Sequence, residues 1–286
     1  MLRTRIITAA ILVIVLLGAL FFLPERGWAV FTFSISLVAL WEWTRIAKLT
    51  GPAGYVFLVA SCLVGLALLA AFVSPDRSAA GRTGVYAQSA GYVAAGVFWM
   101  VCAPLWLAFA WRPNNRLILA ATGWVIVFPT WFALITFRAY GRWYLLALMA
   151  VIWVADIAAY FAGRAFGTHK LAPTVSPGKT WEGVAGALLG VLLYAALCSG
   201  ALKQFGGEHV QGVSLETVTL VIAFLALALL SVVGDLFESW MKRGAGLKDS
   251  SNLLPGHGGV LDRVDALTST LPTAPLIFLA VQRLFS

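Results

Sequence analysis

Charge is what this 286-residue chain has least of. Asp, Glu, Lys and Arg make up 11% of it, where a soluble globular domain carries about 25%. A chain so poor in charge cannot cover a water-facing surface, so a soluble fold is excluded. Acids are scarcer than bases, 12 Asp and Glu against 20 Lys and Arg. Cysteine is down to three residues, Cys62, Cys102 and Cys198, scattered through apolar runs. That excludes a disulfide framework or a cysteine metal site and leaves packing as their role. Soluble linkers, heptad arrays and strong internal repeats are also missing. A cleavable leader is not expected either. The apolar run after Arg3 and Arg5 is too long, and Pro24-Glu25-Arg26 follows it without a small-residue cleavage site.

What is present is mostly apolar: 61% of the residues are hydrophobic and the mean hydropathy is +0.90. Crossing a bilayer takes roughly 20 apolar residues. Such runs are expected near 6–23, 27–46, 55–73, 91–111, 117–137, 143–162, 183–201, 217–241 and 264–285. The fold class expected is therefore all-α, a polytopic integral membrane protein of about nine transmembrane helices. Trp41-Glu42-Trp43-Thr44-Arg45 reads as an interfacial anchor, with Glu42 and Arg45 paired at i, i+3. Ser74 to Gln88 and Lys203 to Ser214 read as loops, and Pro129 marks a site for a kink. Pro272 and Pro275 are read as kinking one final span. The net charge of +8 suits anionic lipid headgroups and cation-rich inner loops, with no nucleic-acid partner expected. A division at residue 140 separates N-terminal transmembrane helices, 1–140, from a catalytic transmembrane region, 141–286.

Two dense polar blocks interrupt this apolar sequence, and polar groups at a membrane are expensive to keep. The first runs from Ser239 to Asp265. It carries Lys242, Arg243, Lys248 and Arg263 as cations, Asp249, Asp262 and Asp265 as carboxylates, and a Gly256-His257-Gly258-Gly259 turn. Glycines let a backbone approach a ligand, and their successive N–H groups with the following helix N-terminus suit phosphate. Asp262 and Asp265 share a helical face, and paired carboxylates beside phosphate donors suit Mg²⁺. Just upstream Asp235, Glu238 and Lys242 share another face, with Asp235 inside an apolar span. The second block runs from Arg164 to Glu182. It offers Arg164, His169, Lys170 and Lys179 as cations and Ser176 and Thr180 as hydroxyls, and Thr180 also suits a helix start. Gly178-Lys179-Thr180 mimics the end of a P-loop, but Pro173 stands where that motif needs its first glycine. Asp156 lies in the span just before this block. Two expected helices separate the blocks, so both fall on one side of the membrane.

The first block resembles the signature of the phosphatidate cytidylyltransferase (CDP-diacylglycerol synthase) family, S-x-x-K-R, four residues, K-D, then a small residue, then P-x-H-G-G-x-x-D-R-x-D. Ser239, Lys242, Arg243, Lys248, Asp249, Ser251, Pro255, His257, Gly258, Gly259, Asp262, Arg263 and Asp265 fill its fixed positions. The second block is similar to another segment of that family, from Asp156 through H-K-L-x-P-x-x-S-P-x-K-T-W-E-G. It departs from it at Gly178, where a cation is expected, and at Ile157, where a small polar residue is expected. The resemblance implies an enzyme that converts CTP and phosphatidic acid into CDP-diacylglycerol and diphosphate. It implies Asp235, Asp262 and Asp265 as ligands of Mg²⁺, with room for a second cation. Lys242, Arg243, Lys248 and Arg263 are then assigned to the triphosphate. Arg164, Ser176, Lys179, Thr180, Glu182 and the turn from Gly256 through His257 and Gly258 to Gly259 are assigned to substrate. The location implied is the inner membrane of a bacterium, with the site facing the cytosol. Oligomeric state stays open, a homodimer included. So do a related membrane nucleotidyltransferase or lipid kinase and a transporter of an anionic substrate. The D-G-x-x-A-R pattern of CDP-alcohol phosphatidyltransferases is missing.

Overall fold

The structure is a computed structural model, and it describes residues 2–73, 79–205 and 215–285. It is helical almost throughout. The elements are α1 (Leu2–Phe22), α2 (Glu25–Ile46), α3 (Pro52–Val73), α4 (Ala79–Val97), α5 (Ala103–Ala108), α6 (Arg116–Tyr140), α7 (Arg142–Phe166), β1 (Lys170–Ala172), β2 (Ser176–Thr180), α8 (Trp181–Phe205), α9 (Leu215–Gly244), α10 (Leu261–Thr270) and α11 (Ala274–Phe285). A π-helical turn, Phe98–Cys102, joins α4 to α5. Among the described residues eight stretches are long and apolar enough to cross a membrane. All-α polytopic membrane architecture follows.

The exception among the expected spans is α2. It carries Glu25, Arg26, Glu42 and Arg45, and half of its residues are buried inside the protein. Trp28 Nε1 donates to Leu134 O at 3.0 Å, Trp43 Nε1 to Leu119 O at 2.7 Å, and Trp131 Nε1 to Ala29 O at 3.1 Å. These bonds lace α2 to α6 inside the bundle. Trp43 is fully buried, so it is a core residue and not the interfacial anchor expected; a buried indole needs a partner for its N–H, and Leu119 O supplies it.

Other boundaries also shift. Of the loop expected over 74–88, residues 79–88 are helical and begin α4, while 74–78 lie outside the described residues. The loop expected from Lys203 is helical through Phe205, and 206–214 lie outside the described residues. Helix α6 runs unbroken through Pro129. The final span divides at Pro272 into α10 and α11, because proline removes a backbone donor where the second helix begins. Cys102, expected to pack, is exposed.

In the C-terminal half α7 packs along α8, α8 along α9, and α9 along α10. Close approach of α7 and α8 depends on small residues, since a Cβ at Gly190 would lie 2.6 Å from Ala158 Cβ. Between α7 and α8 the second polar block folds into an antiparallel hairpin, with Lys170 opposite Thr180 and Ala172 opposite Ser176.

Candidate active site

The two polar blocks meet. Lys179, at the end of β2, places Nζ 2.5 Å from Asp235 Oδ2 on α9. Ser239 Oγ donates to the other oxygen of Asp235 at 3.4 Å. Asp156, on α7, lies within electrostatic reach of Asp235, Lys179 and Arg263, and Asp265, on α10, within reach of Asp235, Lys179 and Lys242. A cavity of about 320 Å³ opens here, walled by Asp156, Tyr160, Gly178, Lys179, Thr180 and Asp235 among others. Asp156, Lys179 and Asp235 thus come to one concavity from α7, β2 and α9, with Asp265 of α10 in electrostatic reach; the even number of helices between the blocks puts them on one side of the membrane.

Thr180 has a backbone task. Its Oγ1 accepts from Gly183 N at 3.1 Å, which caps the first turn of α8. Glu182 has one too: it accepts from Thr168 Oγ1 at 2.8 Å, His169 N at 3.1 Å and His169 Nδ1 at 2.6 Å. Those bonds tie the turn after α7 to the start of α8, and so brace the hairpin that carries Lys179. Arg164 donates to Tyr160 Oη at 2.9 Å on its own helix. Ser176 stands in β2, half-buried.

The glycine turn serves the protein's own carboxylates. Asp262 Oδ2 accepts from Gly259 N at 2.7 Å, Ser250 N at 2.9 Å and Ser250 Oγ at 2.9 Å. Glu42, from α2, accepts from Val260 N at 2.9 Å, Leu261 N at 2.7 Å, Ser250 Oγ at 3.0 Å and Ser251 Oγ at 2.6 Å. The N–H groups of Gly259, Val260 and Leu261 are therefore taken, and the phosphate cradle expected of them is filled by carboxylates. The glycines make room for those groups. A Cβ at Gly258, whose φ is +80°, would stand 2.6 Å from Asp262 Oδ2; one at Gly259 would collide with Ser250 Oγ and Glu42 Oε1. Gly256, with φ +76°, packs against Arg5, where a Cβ would meet Cγ at 3.0 Å. His257 keeps a buried Nδ1 that has no partner among the described residues.

Glu42 is the residue that sequence reasoning misjudged. Its expected partner Arg45 donates instead to Ser250 O at 2.7 Å, and among the described residues no Glu42–Arg45 ion pair forms. No local pattern marked it, because its burial depends on where the loop folds, some 200 residues later in the chain.

Lys242 is buried and bridges two acids, 2.5 Å from Glu238 Oε2 and 2.5 Å from Asp262 Oδ1. Its ammonium acts from within the loop's foundation. Arg243, Lys248 and Arg263 are exposed and available to an anionic ligand, Arg243 with one bond to Leu247 O at 3.3 Å. Among the described residues no three His, Cys, Asp or Glu groups stand close enough to cage a metal unaided. The donor set suits a cation of another kind. Asp235 and Asp265 neighbour each other electrostatically, and Asp262 retains one oxygen, Oδ1, shared with Lys242. Mg²⁺ takes one or two carboxylates and completes its shell with water and substrate phosphates, which these residues fit.

Residues 3–282 match the cytidylyltransferase family. The chain is 38% identical to the phosphatidate cytidylyltransferase of Pseudomonas aeruginosa, with 95% of each chain covered. It is 34% identical to that of Haemophilus influenzae, covering 95% of this chain and 96% of the relative. To that of Bacillus subtilis it is 30% identical, over 94% of this chain and 95% of the relative. With Lys179 of one polar block on Asp235, Asp265 of the other within electrostatic reach of both, and the match running from α1 to α11, the chain belongs to the cytidylyltransferase family.

Proposed function

We propose that this protein transfers the cytidylyl group of CTP to phosphatidic acid, making CDP-diacylglycerol and diphosphate. The observation that carries the reading is the junction of Lys179 with Asp235 at a cavity that Asp156 also lines, with Asp265 of the other signature block within electrostatic reach of both. A phosphate oxygen of the lipid attacks the α-phosphorus of CTP. The new O–P bond forms as the α–β bridging bond breaks, and diphosphate carries the electron pair away. The attacking phosphate is already anionic, so no general base is required, and positioning with charge neutralisation supplies the rate.

The roles follow from placement. Lys179 lines the cavity beside the hairpin and holds lipid phosphate, with Arg164 and Ser176 on the same block. Arg243, Lys248 and Arg263, exposed around the signature loop, hold the triphosphate. Asp235, Asp265 and Asp262 are the carboxylates that would hold Mg²⁺. When bound, the cation neutralises phosphate charge and favours departure of diphosphate. Glu42, Lys242 and Asp262 Oδ2 position the loop. The site faces the cytosol of the bacterial inner membrane, where CTP is found.

Purified protein with Mg²⁺, radiolabelled CTP and phosphatidic acid tests the reading. A labelled CDP-lipid is expected. Turnover with diacylglycerol or an alcohol in place of phosphatidic acid, or CTP-independent uptake of an anion into vesicles, overturns it.

A further inference from the structure

A second cavity, of about 210 Å³, opens beside the last turns of α9. Lys48, Trp111, Arg112, Arg116, Trp240 and Gly244 form much of its wall. Trp240 and Gly244 follow Asp235 by five and nine residues, which places them about 140° and 180° around α9 from it. The cavity is therefore on the opposite side of that helix from the catalytic carboxylate.

Its chemistry is cationic. Among the described residues none of Lys48, Arg112 and Arg116 takes part in an ion pair. Lys48 Nζ donates to Gly244 O at 3.1 Å, and the Arg112 guanidinium stacks 4.6 Å from the centre of the Trp240 ring. Trp240 Nε1 donates to Trp111 O at 2.9 Å, which holds the wall together. Three like charges gathered at one cavity repel until an anion joins them.

Trp111 also borders a larger, apolar groove of about 630 Å³, lined by Leu105, Trp106, Phe109 and Val125 among others. Phe109 is 78% exposed there. Cationic cavity and apolar groove thus meet at one tryptophan, an arrangement that matches a molecule with an anionic head and an apolar chain.

Backbone geometry adds an independent observation. Lys48, at φ +53°, and Ala110, at φ +49°, are the non-glycine residues with positive φ among those described. Each closes a helix: Leu49 N donates to Thr44 O at 2.8 Å, and Trp111 N to Trp106 O at 3.0 Å. Glycine is the usual residue at that left-handed position, and any other strains the backbone. At Lys48 the strain comes with a cation at the cavity.

We propose that this cavity and groove together bind one anionic glycerophospholipid of the surrounding leaflet, at a site separate from the catalytic cavity. Its phosphate lies among Lys48, Arg112 and Arg116, and an acyl chain runs along the groove between α5 and α6. The bound lipid touches the last turn of α9, from which the signature loop departs.

Native mass spectrometry of the detergent-solubilised full chain tests this, with dioleoylphosphatidylglycerol as probe. Phosphatidylglycerol is chosen because it is not the substrate proposed above. The variant Lys48→Gly/Arg112→Gln/Arg116→Gln is compared with wild type and with Lys179→Ala. Lys48→Gly relieves the left-handed strain, so loss of binding is separable from loss of folding, and thermal unfolding monitors the latter. The triple variant is expected to weaken the tightest phosphatidylglycerol step by about tenfold or more, the loss of at least one charge-assisted hydrogen bond. Lys179→Ala should stay within about twofold, the scatter expected of a distant, independent site. Dioleoylphosphatidylcholine should not show that step, and inorganic phosphate should bind far more weakly than the lipid. Equal affinity in wild type and the triple variant overturns the proposal. So does an equal loss in Lys179→Ala, which would put the lipid in the catalytic cavity. Phosphate binding as tightly as the lipid would make this a site for a free anion and overturn the lipid reading as well.

Discussion

Removing the Glu42 carboxylate should cripple the enzyme without dismantling the bundle. Glu42 is fully buried. It accepts from Val260 N, Leu261 N, Ser250 Oγ and Ser251 Oγ. In Glu42→Ala three donors, Val260 N, Leu261 N and Ser251 Oγ, lose their acceptor, while Ser250 Oγ keeps Asp262 Oδ2 at 2.9 Å, and each buried donor left unpaired costs about 1–3 kcal/mol. Water and local relaxation recover part of that sum. A net cost of about 3–5 kcal/mol is expected, as when one partner of a buried charged contact is removed. Because α2 remains laced to α6 by three tryptophan bonds, the cost falls on the signature loop. A local opening made about 3 kcal/mol easier speeds amide exchange about 100-fold. Hydrogen exchange should show that acceleration at Gly259, Val260 and Leu261, while exchange in α6 and α7 stays unchanged. Turnover should fall at least as far, because the same loop holds Asp262 and Lys242. Glu42→Gln keeps one acceptor oxygen and should fall between wild type and Glu42→Ala. Gly259→Ala, whose Cβ collides with Glu42 Oε1, should reproduce the defect, and the double variant should be little worse than either single one. Normal exchange at 259–261 in an inactive Glu42→Ala protein would refute the tether. Normal turnover would refute its importance.

Three further outcomes follow from the site. Asp235→Asn should abolish most turnover at limiting Mg²⁺ while hydrogen exchange of the signature loop stays normal, whereas Asp262→Asn should lose both, because its Oδ2 caps the loop; identical exchange in the two variants would remove that distinction. Gly178→Lys should fold normally, since a Cβ there meets nothing within 4 Å and its φ lies outside the left-handed region. It should lower or leave unchanged the KM for an anionic substrate; a marked fall in kcat would show that the hairpin needs glycine. Truncating Lys248 or Arg243 to Ala should raise KM for CTP by about 10- to 150-fold and leave phosphatidic acid less affected, and Lys179→Ala should do the reverse; kinetics with lipid as surface mole fraction check this, and equal rises in both constants refute the division.

How much could be read before folding differs from residue to residue. Composition and run length decided the class: too little charge for a water-covered surface points to a membrane, and apolar runs of roughly 20 residues point to helices rather than strands. Run lengths placed most of the spans, because roughly 20 residues are needed to cross it. Asp156 and Asp235 stood out as acids in apolar runs, and helix parity put them on one side of the membrane with Lys179; the Lys179–Asp235 contact itself came from packing. Other features depended on contacts that no local pattern carries. Glu42 reads as an anchor until the loop some 200 residues later folds over it. The N–H groups of Gly259, Val260 and Leu261 read as free for phosphate until Asp262 and Glu42 take them. The burial of Trp43 and α2 likewise depends on which neighbours surround the helix, since an apolar segment with a few charges suits a membrane interface or a protein interior equally well. Spacing in the sequence sets what one helix face or turn can offer, through the 3.6-residue period and backbone stereochemistry. Which donor finds which acceptor across the bundle is decided only by packing, because most buried polar groups are paired and the partner comes from wherever the chain brings it.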